Sequence, residues 1–251
     1  MRYKRKKNYW QQDIRKYEYI KALLQGVALI AAVSYMFYGT WVCTILFSPY
    51  LIRYIKSWEI QRAKKKQALF RIQFKEAIQS LSMALNVGYS VENAMCETVK
   101  DLKRIYKKGN PILREFGVMI RQLQMNRTAE QVLGEFAERI GDEDVQTFVT
   151  VFSIAKRSGG DAMEIIRNAV RQLSEKMDVE REIDTLMAAK KMELKIMTAI
   201  PFAMLAYLKL SFPEFLQVLY GNVAGVVIMS ICLLVYLLSY EVGKRMVEIE
   251  V

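Results

Sequence analysis

Residues 22–52 decide the architecture of this chain, because they read ALLQGVALIAAVSYMFYGTWVCTILFSPYLI and contain no Asp, Glu, Lys or Arg. Two more uncharged runs, Ile196–Leu208 and Phe215–Tyr240, lie toward the other end. About 20 apolar helical residues cross the hydrocarbon core of a bilayer, so these runs predict membrane helices. Residues 67–195 are densely charged, which predicts a water-exposed domain between two membrane segments.

The first apolar run predicts a hairpin of two membrane helices. Its 31 residues would form about 46 Å of helix, which is too long for one span. Basic residues flank it on both sides, with a net charge of +6 in residues 1–21 and +5 in residues 53–66, which together account for the net +11 of the chain. Because basic flanks favour the cytoplasmic side, we expect spans at about 22–38 and 40–56 and a cytoplasmic segment 1–21.

The C-terminal apolar runs predict a second hairpin, with spans at about 196–212 and 222–240. The connection between them includes Pro213 and Glu214 and has no Lys or Arg, as expected outside the cytoplasm. The tail 241–251 carries Lys244 and Arg245 and is expected inside. The prediction is therefore an integral membrane protein with four transmembrane helices and both termini in the cytoplasm.

Two residues of the third span could carry a function of their own. Lys209 is an ionisable residue at membrane depth, but its place near the outer interface favours a side chain that extends to the headgroups. Pro201 interrupts the same span, and we interpret it as a tolerated kink rather than a gate.

The segment 57–195 between the hairpins predicts an all-α domain. Apolar residues recur at helical spacing through its core, residues 67–174, and no strand-like alternation appears. The breaks at Gly88, at Gly109–Pro111, before the capping residue Thr128, at Gly141 and at Gly159–Gly160 divide it into a six-helix bundle. The first helix is expected to bury one stripe of side chains, namely Phe70, Phe74, Ala77, Ile78, Leu81 and Leu85.

The last helix of the bundle is expected to act as a stalk, residues 161–195. No Gly or Pro occurs from Asp161 to Ile200, so one helix of about 60 Å would join the bundle to the third span. Since a helix transmits displacement better than a flexible loop, motion of the bundle should be felt in the bilayer.

The composition argues against an enzyme. The chain has no His, its three Cys form no Cys-x-x-Cys pair, and no Gly-x-x-x-x-Gly-Lys-Ser/Thr loop occurs. We therefore expect no catalytic residues, no cofactor and no metal. The basic excess lies around a membrane segment rather than on the folded domain, which argues against binding to nucleic acid.

Three charged or polar clusters have alternative interpretations. Asp142–Asp144 could bind a cation, but carboxylates are also favoured at the start of a helix. Ser158–Asp161 could hold a phosphate, but an Asp at a helix N-cap would repel the anion, which favours a helix–turn–helix joint. Lys64–Lys66 and the basic N-terminus could bind anionic lipid, although a topology signal alone explains these basic residues.

One motif at the start of the bundle resembles a known family. Residues Leu81–Ala94 read LSMALNVGYSVENA and resemble the L-x-x-x-L-x-x-G-x-S-x-x-x-A opening of the type II secretion system F domain, with Gly88 and Ser90 at its Gly and Ser. The joint before the stalk is similar to the second signature of that domain and consists of Ser158, Gly159, Gly160 and Asp161.

Two further segments are similar to the B component of the tight-adherence pilus in particular. They are the loop Phe212–Leu216, which includes Pro213 and Glu214, and the terminal Val247–Val251. Two features depart from the family. Lys156–Arg157 stand where many members have an acidic residue before the Gly-Gly joint, and only one copy of the domain is found where the classical secretion member has two.

The resemblance implies an inner-membrane platform for a tight-adherence (Flp) pilus or a related secretion machine. Its implied partners are a cytoplasmic secretion ATPase, pilin subunits, membrane lipid, and either a second copy or a related one-copy subunit. A membrane signalling or scaffold protein that uses the bundle for docking remains the alternative. An intramembrane enzyme or transporter is a weaker one, because the spans contain almost no ionisable residues.

Overall fold

The structure, a computed structural model, describes residues 9–12, 16–39, 48–158, 162–212, 214, 219–220 and 222–247. All regular secondary structure in these residues is helical, which confirms the all-α prediction. The helices are α1 (Tyr9–Gln12), α2 (Lys16–Tyr38), α3 (Ser48–Asn86), α4 (Val91–Ile105), α5 (Pro111–Gln124), α6 (Ala129–Ile140), α7 (Glu143–Ser158), α8 (Ala162–Ser211) and α9 (Val223–Val247).

The chain forms two compact units. One unit, the helical bundle, comprises Met1–Ile14 and Ile60–Val179, and the other, the apolar unit, comprises Arg15–Glu59 and Glu180–Val251. The long helices α3 and α8 each contribute residues to both units.

The core of the bundle is built from the helical stripes that the sequence contains. The six residues of the predicted α3 stripe are all buried, each with at most 2% of its surface exposed. Aromatic rings dominate the centre, where Phe74 and Phe148 meet edge to face with 5.8 Å between ring centroids. Such pairs stabilise a core beyond the area that they bury. The other rings of this cluster are Phe70, Phe116, Phe136 and Phe152.

Short polar and glycine signals set the ends of these helices. Gly88 has a φ of +96°, and the hydrogen bonds from Gly88 N to Leu85 O (3.0 Å) and from Tyr89 N to Ala84 O (3.3 Å) form a Schellman motif. Ser90 is the N-cap of α4, where its hydroxyl accepts from Asn93 N. Asn110 and Thr128 cap the starts of α5 and α6 in the same manner, and Gly141, with a φ of +65°, is the C-cap of α6.

The helix α3 is longer than the sequence predicts. The sequence predicts a span at 40–56 and, after the basic residues 53–66, a separate first bundle helix. From Ser48 to Asn86 they form one continuous helix of 39 residues, because no Gly or Pro follows Pro49 until Gly88. Charged side chains alone do not end a helix when helix-forming residues continue on both sides.

Three of the described helices are long and apolar enough to cross a membrane, rather than the predicted four. The candidate spans are Tyr17–Tyr38, a window of Ala162–Ser211, and Ala224–Met246. The predicted span at 40–56 falls partly on residues 40–47, which lie outside the described residues. The described remainder is the start of α3 and includes Arg53 and Lys56, which lowers its hydropathy.

Polar and aromatic contacts join helices within the apolar unit. The Tyr38 hydroxyl lies 2.9 Å from Ser230 Oγ, and the Tyr236 hydroxyl donates to the Thr198 carbonyl oxygen (3.0 Å). A small core of Phe37, Met229 and Leu233 lies beside them. Many other apolar side chains of these helices are exposed, including Ile231, Leu234 and Leu238, and exposure on this scale is typical of a surface that faces lipid.

Candidate functional site in the helical bundle

A short N-terminal segment is part of the bundle core. Trp10 in α1 is 4% exposed, and its indole lies against Phe70 of α3 with 4.9 Å between ring centroids. From the sequence, residues 1–21 are expected to be a topology signal, with binding to anionic lipid as the alternative. A single helical turn has no apolar period, so the only available signal was an isolated Trp within a basic segment.

The neighbouring residue Tyr9 forms a hydrogen bond to a buried carboxylate. Its hydroxyl donates to Glu115 Oε1 at 2.7 Å, and Arg139 Nε donates to the other carboxylate oxygen at 2.9 Å. Glu115 is buried on α5, so Arg139 supplies the compensating charge. Burial and the hydrogen bond to Glu115 raise the pKa of the Tyr9 hydroxyl. The segment is thus fixed both by apolar packing and by a hydrogen bond.

A second buried polar network lies at the junction of α6 and α7. Asp142 and Asp144 are almost fully buried, and Arg71 Nε lies 2.9 Å from Asp142 Oδ2 and 3.4 Å from Asp144 Oδ2. Gln67 donates to Asp142 at 2.7 Å, and Lys176 Nζ donates to Asp144 at 2.7 Å. Two cationic side chains therefore balance two carboxylates and tie α3, α7 and α8 together.

This network bears on the alternative that Asp142–Asp144 binds a cation. Asp142 accepts from Asp144 N at 3.1 Å through its side chain and from Gln146 N at 3.0 Å through its carbonyl oxygen, so it caps α7. The positive charge beside both carboxylates comes from Arg71 and Lys176. In the described part of the chain, no group of three or more His, Cys, Asp or Glu could hold a metal ion.

The family-motif residues fall at helix ends and joints. Gly88 and Ser90 form the turn between α3 and α4, and Ser158 is the last residue of α7. Gly159, Gly160 and Asp161 lie outside the described residues. Pro201 and Glu214 belong to the apolar unit.

The predicted residues of the C-terminal hairpin occupy different settings. Pro201 lies inside α8, which continues through it to Ser211. Glu214 is exposed, and Pro213 lies outside the described residues. Lys209, expected to extend to the headgroups, contacts Tyr35. Its Nζ donates to the Tyr35 carbonyl oxygen at 2.8 Å and lies 3.3 Å from the centroid of the Tyr35 ring.

Comparison with known protein families matches residues 77–208 to the family described as Type II secretion system (T2SS), protein F. The match covers more than half of the chain. This chain belongs to the protein F family. No curated protein and no solved structure matches it.

The family match extends from Ala77 in α3 to Leu208 in α8, and so contains the bundle helices α4–α7 completely. It confirms the family resemblance read from Leu81–Ala94. The match does not include the docked segment at Trp10 or the final helix α9. Membership in the protein F family, together with the apolar helices, indicates a type II secretion or pilus-type component of the inner membrane.

Proposed function

We propose that this chain is an inner-membrane platform of a tight-adherence (Flp) pilus machine or a related secretion system, and that it couples a cytoplasmic secretion ATPase to pilin assembly or protein export. The observation that carries the proposal is the match of residues 77–208 to the protein F family. The similarity of Phe212–Leu216 and Val247–Val251 to the tight-adherence B component favours that branch of the family.

The place of Trp10 supports a topology with four spans. Residues 9–12 and residues 60–179 belong to one compact unit, so both must lie on the same side of the membrane. If α2 crosses once between them, the chain has to cross back before Ile60. The uncharged residues 40–52 are the sequence that can do so, which supports the predicted span at 40–56 and a cytoplasmic bundle.

The helix α8 provides a route for mechanical coupling. It is 50 residues long, or about 75 Å. Ile166, Val170 and Leu173 belong to the bundle core, while Phe202 and Leu205 of the same helix pack in the apolar unit. A displacement that the ATPase imposes on the bundle would pass along this helix to the spans that handle pilins.

In the proposed function, the energy for assembly or export comes from the partner ATPase. The sequence has no P-loop and no His-based chemistry, so we assign this chain no catalytic step, no cofactor and no role with nucleic acid. Its partners would be the ATPase, the pilins, membrane lipid, and a second copy or a related one-copy subunit. The competing function is a signalling scaffold, for which the bundle would dock a kinase or receptor instead.

A matched pair of α8 variants tests the coupling. Met187–Lys190 would be replaced by four glycines in one variant and by four alanines in the other, because Gly weakens a helix by about 1 kcal/mol per residue relative to Ala. Each full chain would replace the native one in cells that make the pilus. Copurified ATPase and pilin, and assembled pili, would be measured.

The proposal expects the alanine variant to assemble pili and the glycine variant to retain the ATPase but lose assembly. Equal assembly by both variants would refute coupling through α8. Failure of the native chain to copurify with any secretion ATPase, with recovery of a kinase or receptor instead, would favour the scaffold.

A further inference from the structure

The loop that joins α4 to α5 forms a basic concave surface. The concavity is open to solvent and has a volume of about 630 Å³, and residues 103–114 carry five basic residues and no acidic one. Ile105, which is 63% exposed, and Leu113 give the same surface an apolar part. We call this surface the basic pocket, defined by Lys103, Arg104, Ile105, Lys107, Lys108 and Leu113.

The lysines of the basic pocket are exposed, and the loop that carries two of them is held in place. Within the described residues, Lys103, Lys107 and Lys108 have no ion-pair partner. The Tyr106 hydroxyl donates to Glu76 Oε2 at 2.6 Å, and Asn110 caps the next helix through a bond from Ile112 N of 3.1 Å. The charges are therefore presented on a fixed loop. Like charges this close repel one another, and an anionic partner would relieve that repulsion.

A surface of opposite character lies on α8. Glu175, Asp178, Val179, Glu182 and Leu186 follow the spacing i, i+3, i+4, i+7 and i+11, which places them on one side of the helix. Val179 and Leu186 are 55% and 67% exposed. In the described residues, Glu175 and Glu182 have no ion-pair partner, and Asp178 contacts only the surface Lys75. We call these five residues the acidic face.

The two surfaces complement each other in two respects. The basic pocket combines cationic side chains with exposed Ile105, and the acidic face combines carboxylates with exposed Val179 and Leu186. Opposite charge guides association and sets its register, while the apolar side chains supply area that binding removes from water. A bare lipid headgroup would satisfy the charges but not the apolar residues of the pocket.

We propose that the acidic face of one copy of this chain binds in the basic pocket of a second copy. The contact is head to tail, since each copy contributes a different surface, and each copy keeps one surface free for a further neighbour. The proposal does not depend on which secretion machine the chain serves.

The test uses two differently tagged full-length copies expressed together in membranes. One copy carries the photo-crosslinking residue p-benzoylphenylalanine in place of Ile105. Illumination should produce a species that contains both tags, and mass spectrometry should map the attachment to residues 175–186 of the other copy.

Charge reversal gives the discriminating variants. Lys107→Glu with Lys108→Glu should lower the yield of the crosslink about tenfold or more, since it replaces attraction with repulsion at the contact. Glu175→Lys with Glu182→Lys should do the same. A mixture in which the Lys107→Glu/Lys108→Glu copy carries the crosslinker at position 105 and the other copy carries Glu175→Lys with Glu182→Lys should recover the crosslink, because the reversed pocket then meets a reversed face. Arg121→Glu with Lys156→Glu changes the charge equally outside both surfaces and should leave the yield unchanged.

Each other outcome overturns the proposal. The first is a crosslink from position 105 only to lipid or to a different protein. The second is a crosslink between copies that maps outside residues 175–186. The third is a crosslink yield that does not change on charge reversal, or that does not recover in the mixture. Circular dichroism of each purified variant shows whether it has folded, and the mixture test remains valid if one double variant is less stable.

Discussion

The indole of Trp10 packs against the ring of Phe70 with 4.9 Å between their centroids and an angle of 56° between their planes. This contact brings the N-terminal segment into the core of a bundle from which α2, a candidate membrane span, separates it in sequence. It constrains the stability of the bundle and the path of the chain through the membrane.

Replacement of Trp10 by Ala should destabilise the bundle by about 3–5 kcal/mol, because it leaves a cavity beside Phe70. Hydrogen exchange of peptides from α3 and α6 in the full-length protein should become faster. Trp58→Ala removes a Trp outside the bundle and should leave the exchange of those peptides unchanged. Equal effects of the two substitutions would show that the indole of Trp10 is not part of the core.

Arg71 and Lys75 provide a matched comparison, because they lie one turn apart on α3 and both pair with aspartates. Arg71→Ala leaves Asp142 and Asp144 buried with less compensating charge, and should cost about 3–5 kcal/mol of unfolding free energy. Lys75→Ala removes the pair with the exposed Asp178 and should cost about 0–1 kcal/mol. Urea unfolding monitored by Trp10 fluorescence, with Trp41 and Trp58 replaced by Phe, measures both. Similar losses would contradict the difference in burial.

Tyr106 predicts a pH dependence of bundle stability. Burial raises the pKa of its hydroxyl above the usual 10.0, and the hydrogen bond to Glu76 adds to the shift. Because the folded state holds this proton more tightly than the unfolded state, the contribution is fully present below pH 10 and is lost as the pH rises toward the folded pKa.

Unfolding by urea at pH 8 and at pH 11 should therefore show a loss of stability at the higher pH, and Tyr106→Phe should make that loss smaller. Tyr89→Phe serves as the control, since the Tyr89 side chain is exposed. An unchanged pH dependence in Tyr106→Phe would exclude this hydroxyl as its source.

Lys209 should stabilise the apolar unit through the end of α2. It adds a second hydrogen bond, of 2.8 Å, to the Tyr35 carbonyl oxygen in the last turn of that helix, which also accepts from Gly39 N at 3.2 Å. Lys209→Met should lower stability by an amount on the order of 1 kcal/mol. Lys209→Arg, which can still donate, should lose less. Thermal unfolding in detergent compares them, and equal melting temperatures for all three proteins would assign Lys209 a headgroup role alone.

The sequence predicts most of the bundle because its signals are local. Phe70, Phe74 and Leu81 recur at helical spacing, and Gly88 followed by Ser90 marks one helix end and the next start. These signals depend only on neighbouring residues, so no tertiary information is needed to interpret them.

The sequence alone does not predict contacts between residues that lie far apart along the chain. Nothing in a one-turn segment indicates that Trp10 packs against Phe70. The carboxylates of Asp142 and Asp144 suit a helix start on local grounds, while their partners Arg71 and Lys176 can be found only from the fold. The sequence does not predict the continuation of α3 from Ser48, because a change from apolar to basic composition usually marks the end of a membrane span.

The central claim is that the N-terminal segment and the bundle lie together in the cytoplasm, with an even number of membrane crossings between them. Single cysteines at Gln11, Lys107 and Glu214, in a chain whose three native cysteines are replaced by Ser, test it most directly. A membrane-impermeant maleimide would be applied to intact spheroplasts and to inverted membrane vesicles. The account predicts that positions 11 and 107 react only in inverted vesicles and that position 214 reacts only in spheroplasts. Reaction of positions 11 and 107 from opposite sides would contradict the account.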